Sequence, residues 1–176
     1  MEIRLIDIGK EFSNYRYEIF PQDLKRLDKR YAFEKIRCDF RLRIEGEILL
    51  FRGGYETTFA APCDYCLTSS LFDLKREFEL DLIPEESQSE PQNDVEIQLN
   101  SRNTDYYRGS EIDATRYFED QILLDLPISV ICADSCRGIC TQCGANRNVS
   151  DCTCGKTAVN SPFAILGELD LHSGNK

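Results

Sequence analysis

Histidine is almost missing from this 176-residue chain; His172, close to the last residue, is the single one. A lone histidine in such a position argues against a Cys–His nucleophile pair and against a histidine base. No G-x-x-x-x-G-K-[ST], G-x-G-x-x-G or G-x-S-x-G occurs, so the phosphate-cradling loops and the nucleophile elbow are absent as well. No stretch approaches the roughly 18 consecutive apolar residues of a membrane span. The opening run Met1-Glu2-Ile3-Arg4-Leu5-Ile6-Asp7 carries charge where a signal peptide is apolar, and it has no small-residue cleavage site. No internal repeat is visible. These absences speak against the commoner enzyme classes, a membrane protein and a secreted one.

Basic residues are outnumbered by acidic ones, 21 to 31, for a formal net charge of −10. A surface of that sign repels a phosphate backbone at long range, so nucleic-acid binding needs a local basic patch. Lys25, Arg26, Lys29 and Arg30 on one segment and Arg37, Arg41 and Arg43 on another are the candidates. Both read as ordinary solvated faces, which leaves at most a weak RNA contact.

Cysteine, by contrast, is plentiful. Eight of nine fall into four short clusters, Cys63/Cys66, Cys132/Cys136, Cys140/Cys143 and Cys152/Cys154. Without a secretory signal the expected compartment is the reducing cytoplasm, where closely spaced thiols bind metal rather than form disulfides. Zinc takes four thiolates at tetrahedral angles, so eight thiolates suit two Zn2+ ions. Two pairings compete. In one, Cys140, Cys143, Cys152 and Cys154 form a local ribbon-like site, and Cys63 and Cys66 join Cys132 and Cys136 in a second. In the other, the six C-terminal cysteines compete for one site and the Cys63–Cys66 pair is free or redox-active. The first is preferred because the count closes without remainder. A zinc saturated by four cysteines is structural, since catalytic zinc keeps an open position.

The chain around these clusters reads as α+β, an antiparallel sheet packed with a few helices, followed by a Cys-rich zinc-knuckle segment. Residues 1–8 suggest a short strand. Pro21 to Tyr31 suggests a short helix, with Leu24, Leu27 and Tyr31 as its stripe. Ile36, Cys38, Phe40, Leu42 and Ile44 alternate with charged residues over 36–45, which is a strand with one wet face, and Cys38 is a buried hydrophobe there rather than a ligand. Gly46 permits a turn into a strand at Ile48–Phe51. Gly53-Gly54 reads as a hairpin turn leading to a third strand, Tyr55–Ala61. Phe72 to Leu82 alternates as a fourth, which places the first CxxC at a hairpin tip. Residues 84–94 read as a flexible acidic loop, Val95–Leu99 as another strand, and Asp113 as the N-cap of a helix over Ala114–Leu124 that buries Ala114, Phe118 and Ile122. Pro162 to Leu169 suggests a final docking helix. The expected organisation is a core over 1–130 and the Cys-rich segment with its helix over 131–176.

The run Leu126-Pro127 … Cys132-Ala-Asp-Ser-Cys136-Arg-Gly138-Ile139-Cys140-Thr-Gln-Cys143-Gly144-Ala-Asn146-Arg-Asn148 … Cys152-Thr-Cys154 resembles the signature of the YceD family, the bacterial and plastid large ribosomal RNA subunit accumulation proteins. Cys63-Asp-Tyr-Cys66-Leu67 resembles that family's C-x-x-C-L element, and Pro162-Phe-Ala-Ile-Leu166 its closing stretch. The resemblance covers roughly residues 36–169. Ile139 stands where leucine is usual, and Ser161-Pro162-Phe163 replaces an Asp-Pro-Arg-like triplet. It implies a part in accumulation of large-subunit ribosomal RNA and no known enzymatic activity. The expected function is therefore a non-enzymatic, zinc-stapled cytoplasmic factor in ribosome biogenesis, with a ribosomal protein or an RNA-processing or assembly factor as partner. A protein-interaction adaptor unrelated to ribosomes is one alternative. A thiol-redox or metal-handling protein using Cys63 and Cys66 is another.

Overall fold

The computed structural model of the protein describes residues 1–85 and 103–154. The expected acidic loop past Glu85, the strand at Val95–Leu99, the closing stretch Pro162–Leu169 and His172 lie outside the described residues. What the structure describes is mostly β: eight strands and one α-helix, together with short 3-10 turns.

Strand β1 (Glu2–Arg4) pairs antiparallel with β8 (Glu111–Asp113) in a small separate sheet. The main sheet runs β2 (Ser13–Ile19), β4 (Ile36–Glu45), β5 (Ile48–Pro62), β6 (Ser69–Pro84) and β7 (Thr104–Tyr107), with β3 (Ala32–Phe33) pairing β5 beside β4. All its pairings are antiparallel except β6 with β7, which makes the sheet mixed. Alternation explains β4 directly: Ile36, Cys38, Phe40 and Leu42 are buried and the charged residues between them face solvent.

Helix α1 (Ala114–Asp125) covers the apolar face. Its start is fixed by Asp113, whose carboxylate accepts the N–H of Thr115 at 3.0 Å. Ala114, Phe118 and Ile122, at i, i+4 and i+8, are fully buried. Phe118 sits edge-on to Phe40, Phe51 and Phe78, with ring centroids 5.4, 5.7 and 5.3 Å away. Such geometry is favoured by the ring quadrupoles over face-to-face stacking.

Two sequence expectations are corrected. Gly53-Gly54 is no hairpin turn. β5 runs unbroken from Ile48 to Pro62, and neither glycine has a positive φ. The glycines instead allow close approach. A Cβ on Gly53 would lie 2.9 Å from Cβ of Phe40, and one on Gly54 would lie 2.9 Å from the carbonyl oxygen of Arg76. In register, Gly53 stands between Phe40 and Phe78, and its missing side chain makes room for their rings. The turn glycine is Gly46, at φ 65°.

The segment 21–31 is not a helix either. A 3-10 turn spans Pro21–Asp23 and the chain then runs irregularly. The buried carboxylate of Glu119, on α1, accepts the N–H groups of Lys25 at 2.6 Å and Arg26 at 2.5 Å, and Arg26 also pairs with Asp120. Those amides would have partnered carbonyls in a helix. A charged acceptor bonds them more strongly than a neutral carbonyl.

The hairpin of β5 and β6 extends past the main core. Its outer part carries a second small core of Phe59, Ala61 and Val130, with Tyr31, Phe33, Phe72, Leu74 and Leu126 packed around it. Along β5 the inward positions are Leu49, Phe51, Gly53, Tyr55, Thr57, Phe59 and Ala61, and the same alternation makes Cys63 the next buried residue.

Because Gly53 fills a packing requirement, Gly53→Ala is expected to lower stability by about 1–3 kcal/mol through overpacking. Urea unfolding followed by circular dichroism checks it. Had the pair formed a tight turn, Gly53→Asn would be tolerated; the extended register makes it as damaging as alanine.

Candidate metal centres

Each group of four cysteines starts from one backbone device, used twice. At the hairpin tip the N–H of Leu67 donates to the carbonyl of Cys63 (2.9 Å), and the N–H of Cys63 donates to the carbonyl of Thr68 (3.0 Å). In the C-terminal segment the N–H of Gly144 donates to the carbonyl of Cys140 (2.8 Å), and that of Cys140 to the carbonyl of Ala145 (2.8 Å). The spacing is identical. In both turns the amides two and three residues after the first cysteine point at its sulfur, Tyr65 and Cys66 in one, Gln142 and Cys143 in the other. In both, the residue after the second cysteine has a positive φ, 61° at Leu67 and 72° at Gly144. Glycine takes that conformation freely, whereas leucine there costs on the order of 1 kcal/mol.

The tip turn brings Cys63 and Cys66 to Cys132 and Cys136, and the second turn brings Cys140 and Cys143 to Cys152 and Cys154; within each group the four sulfurs lie within 4.8 Å of one another. This is the preferred of the two pairings. Cys63 Sγ is 3.9 Å from Cys136 Sγ, and Cys66 Sγ is 3.6 Å from Cys132 Sγ. A disulfide needs about 2.05 Å. A tetrahedron with metal–sulfur bonds of about 2.3 Å has edges of about 3.8 Å. The donor set and the spacing therefore fit a metal ion at each group. Cys38 stands apart in the main core, fully buried, as expected.

The segment 126–138 reaches the tip through specific bonds. Asp64 accepts the N–H of Val130 at 2.7 Å with its carboxylate, and its own N–H donates to the carbonyl of Val130 at 2.8 Å. Ile139 N–H donates to the carbonyl of Tyr65 (2.9 Å). Gly138, at φ 69°, passes close to the same carbonyl, where a Cβ would come within 3.1 Å. Asn148 holds the group from outside, accepting the N–H of Arg137 (2.7 Å) and donating to Cys136 Sγ (3.3 Å). Asn146 bridges the two turns through Thr68 Oγ1 (3.1 Å). Asp64, Gly138, Asn146 and Asn148 carry no role that residue type or spacing alone predicts. Their signal was their place inside the cysteine motif rather than any chemistry of their own.

Sulfur electrostatics follow from these donors. Burial opposes ionisation of Cys63, but the N–H groups of Cys132, Cys66 and Tyr65 outweigh it and hold its pKa at about 6. The amides of Cys143 and Gln142 do the same for Cys140, also at about 6. Cys132 is pushed up to about 12, chiefly by sharing hydrogen bonds with Cys136 and Cys66, and Cys154 to about 11 beside Cys143. Each group thus keeps protons between crowded sulfurs, and a cation bound there would replace them.

The basic candidates are mostly occupied. Arg26 pairs with Glu119 and Asp120, Arg30 with Asp64, Arg37 with Glu56, and Arg43 with Glu45. Arg41 and Arg43 both lie over the ring of Phe12 at 4.7 Å. Among the described residues no helix is long and apolar enough to cross a membrane.

The fold and the two groups of sulfurs define a class: a mixed β-sheet protein whose long hairpin ends in a knuckle joined to a Cys-rich segment. The family described as "Large ribosomal RNA subunit accumulation protein YceD" matches residues 51–170, and this chain belongs to it. Two curated relatives are both described as "Large ribosomal RNA subunit accumulation protein YCED homolog 1, chloroplastic". The one from Arabidopsis thaliana is 37% identical over 59 residues, 34% of this chain and 18% of the relative. The one from Zea mays is 42% identical over 58 residues, 32% of this chain and 20% of the relative. The matched stretch thus spans about a fifth of each relative's length. No solved structure matches.

Two outcomes follow for the tip group. Cys63→Ser is expected to speed hydrogen exchange at residues 130–138 as well as at the tip, because a metal held by this group would bind both. Unchanged protection beyond Val130 would separate the segments. Asn148→Ala removes a donor to Cys136 Sγ and is expected to weaken metal binding at this group by about tenfold or more, with the second group unaffected, as read by titration with Co2+.

Proposed function

We propose that this protein is a non-enzymatic factor, stapled by two zinc ions, that supports accumulation of large-subunit ribosomal RNA through contact with a protein partner. The observation that carries the reading is the pair of four-cysteine groups lying within the matched family region. Four soft thiolates per group select zinc over hard cations. They also fill its coordination sphere, which favours a structural role over a Lewis-acid one. Cys63 has the low pKa of a reactive thiol but is fully buried, and access limits thiol exchange as much as ionisation does.

The net charge of −10 supports action through protein. Two zinc ions on eight thiolates take it to about −14. The partner that such a surface attracts is basic, as a ribosomal protein or an RNA-bound assembly factor is. The cytoplasm, where thiols stay reduced, is the compartment in which it acts.

Protein purified under reducing conditions is expected to carry about two zinc ions per chain, measured by elemental analysis. Less than half an equivalent with freely reactive thiols would refute the staple. Depleting the protein in its host is expected to lower large-subunit ribosomal RNA relative to the small-subunit RNA, with fewer mature large subunits. Unchanged subunit ratios would sink the functional reading, whatever the metal content.

A further inference from the structure

The two knuckles differ in one position that chemistry alone would make the same. Hydrogen bonds, sulfur-directed amides and positive φ coincide, yet one turn has Gly144 where the other has Leu67. The strain at Leu67 brings no packing in return, since the residue is 65% exposed. Removing the side chain would relieve the backbone and reduce exposed apolar area together. A residue that disfavours the isolated fold in both ways is explained by something it touches outside that fold.

Its neighbours extend the apolar surface. Tyr65, 52% exposed, lies in the same turn, and Ile139, 37% exposed, is fixed beside Tyr65 by the hydrogen bond from its N–H to the Tyr65 carbonyl. The elements below are tightly packed: a long hairpin, a buried aromatic core at Phe59, and Gly138 seated against the Tyr65 carbonyl. The three side chains therefore form a preorganised knob, and preorganisation reduces the entropy lost on docking. An apolar patch on a rigid protrusion fits a concave apolar site better than a flat one.

Charge indicates what carries that site. From Pro62 to Leu74 the chain has Asp64 and Asp73 and no lysine or arginine. A metal held by four thiolates directly below would add net negative charge, and the nearby cations Arg30 and Arg137 are paired with Asp64 at 3.5 Å and Asp151 at 3.0 Å. The rim repels phosphate and attracts a basic protein.

We propose that Leu67, flanked by Tyr65 and Ile139, is the anchor by which this protein docks into an apolar cleft on a basic protein, a proposal that rests on the assembly-factor reading above. The test uses the full chain with its metal, as wild type, Leu67→Gly and Leu67→Met. Each is titrated against the RNA-free proteins of the large ribosomal subunit, purified singly, against bare ribosomal RNA, and against itself by sedimentation. Leu67→Gly is expected to keep its metal content and raise the thermal midpoint, yet to bind its basic partner at least tenfold more weakly. Leu67→Met, which keeps the apolar bulk, is expected to retain most of the affinity, and binding of the wild type is expected to fall as salt rises. Equal binding by wild type and Leu67→Gly overturns the proposal. So does the absence of any basic partner, or a Leu67 effect seen only in self-association or only on bare RNA. In depleted cells, full rescue of subunit ratios by Leu67→Gly overturns the anchor alone, whereas normal ratios without any rescue overturn the assembly reading instead.

Discussion

The register of β5 is the constraint on which the rest depends. One alternation holds from Leu49 through Phe59 and Ala61 to Cys63, so the strand that lines the aromatic core also delivers the first sulfur of the tip group. A slip of one residue would turn every inward side chain outward. It would also point the sulfur away from Cys132 and Cys136. The pinning of this register falls to Gly53 and Gly54, which admit Phe40 and the Arg76 carbonyl at distances that no other residue permits. Core packing and the placement of the tip sulfurs are therefore set by the same strand, not by two separate devices.

This coupling shows why some of the molecule was legible in its sequence and some was not. β4 and α1 could be read because a single periodicity, two residues in one and about 3.6 in the other, decides which side chains are buried. Asp113 could be read as a cap because the capping bond is local. The paired glycines misled for a physical reason. Glycine signals either a positive φ or a close approach, and only the facing strand, with Phe40 and Phe78 beside Gly53, decides between them. The stripe at Leu24, Leu27 and Tyr31 likewise suggested a helix, and the deciding partner was the carboxylate of Glu119, more than ninety positions away. Cysteine spacing identified the four clusters, but the 66-residue separation between Cys66 and Cys132 is closed by Asp64 and Val130, a contact no spacing rule contains.

Sulfur behaves in this molecule according to what donates to it. Cys38 and Cys63 are equally buried. Burial, with the charge of Asp39 adding to it, pushes Cys38 up to about 12 and leaves it a small hydrophobe. Cys63, at the same exposure, is held at about 6 by three amides. The difference comes chiefly from backbone N–H groups aimed at one sulfur, two of them from the knuckle turn and one from Cys132. A thiolate so prepared needs less free energy to lose its proton when a cation arrives, and the same amides offset the charge that remains.

The segment after Pro127 has little else to fold around. Val130 is its one buried large hydrophobic residue among the described residues, and Ile128, Ile131, Ile139 and Val149 are exposed. At about 25 cal/mol per Å2, so little apolar burial falls far short of the roughly 1–2 kcal/mol that ordering each residue's backbone costs. Hydrogen bonds to the tip and to Asn146 and Asn148 fix its path without supplying that deficit, because each contributes only about 1 kcal/mol net. A metal held by sulfurs from both segments would supply it, since the binding free energy of tetrathiolate zinc reaches on the order of 10 kcal/mol. The sheet, with its own aromatic core, has no such need. The molecule thus divides into a part with an aromatic core of its own and a part with little besides its clustered sulfurs and hydrogen bonds, and the boundary between them is the hairpin tip, where Leu67 is exposed.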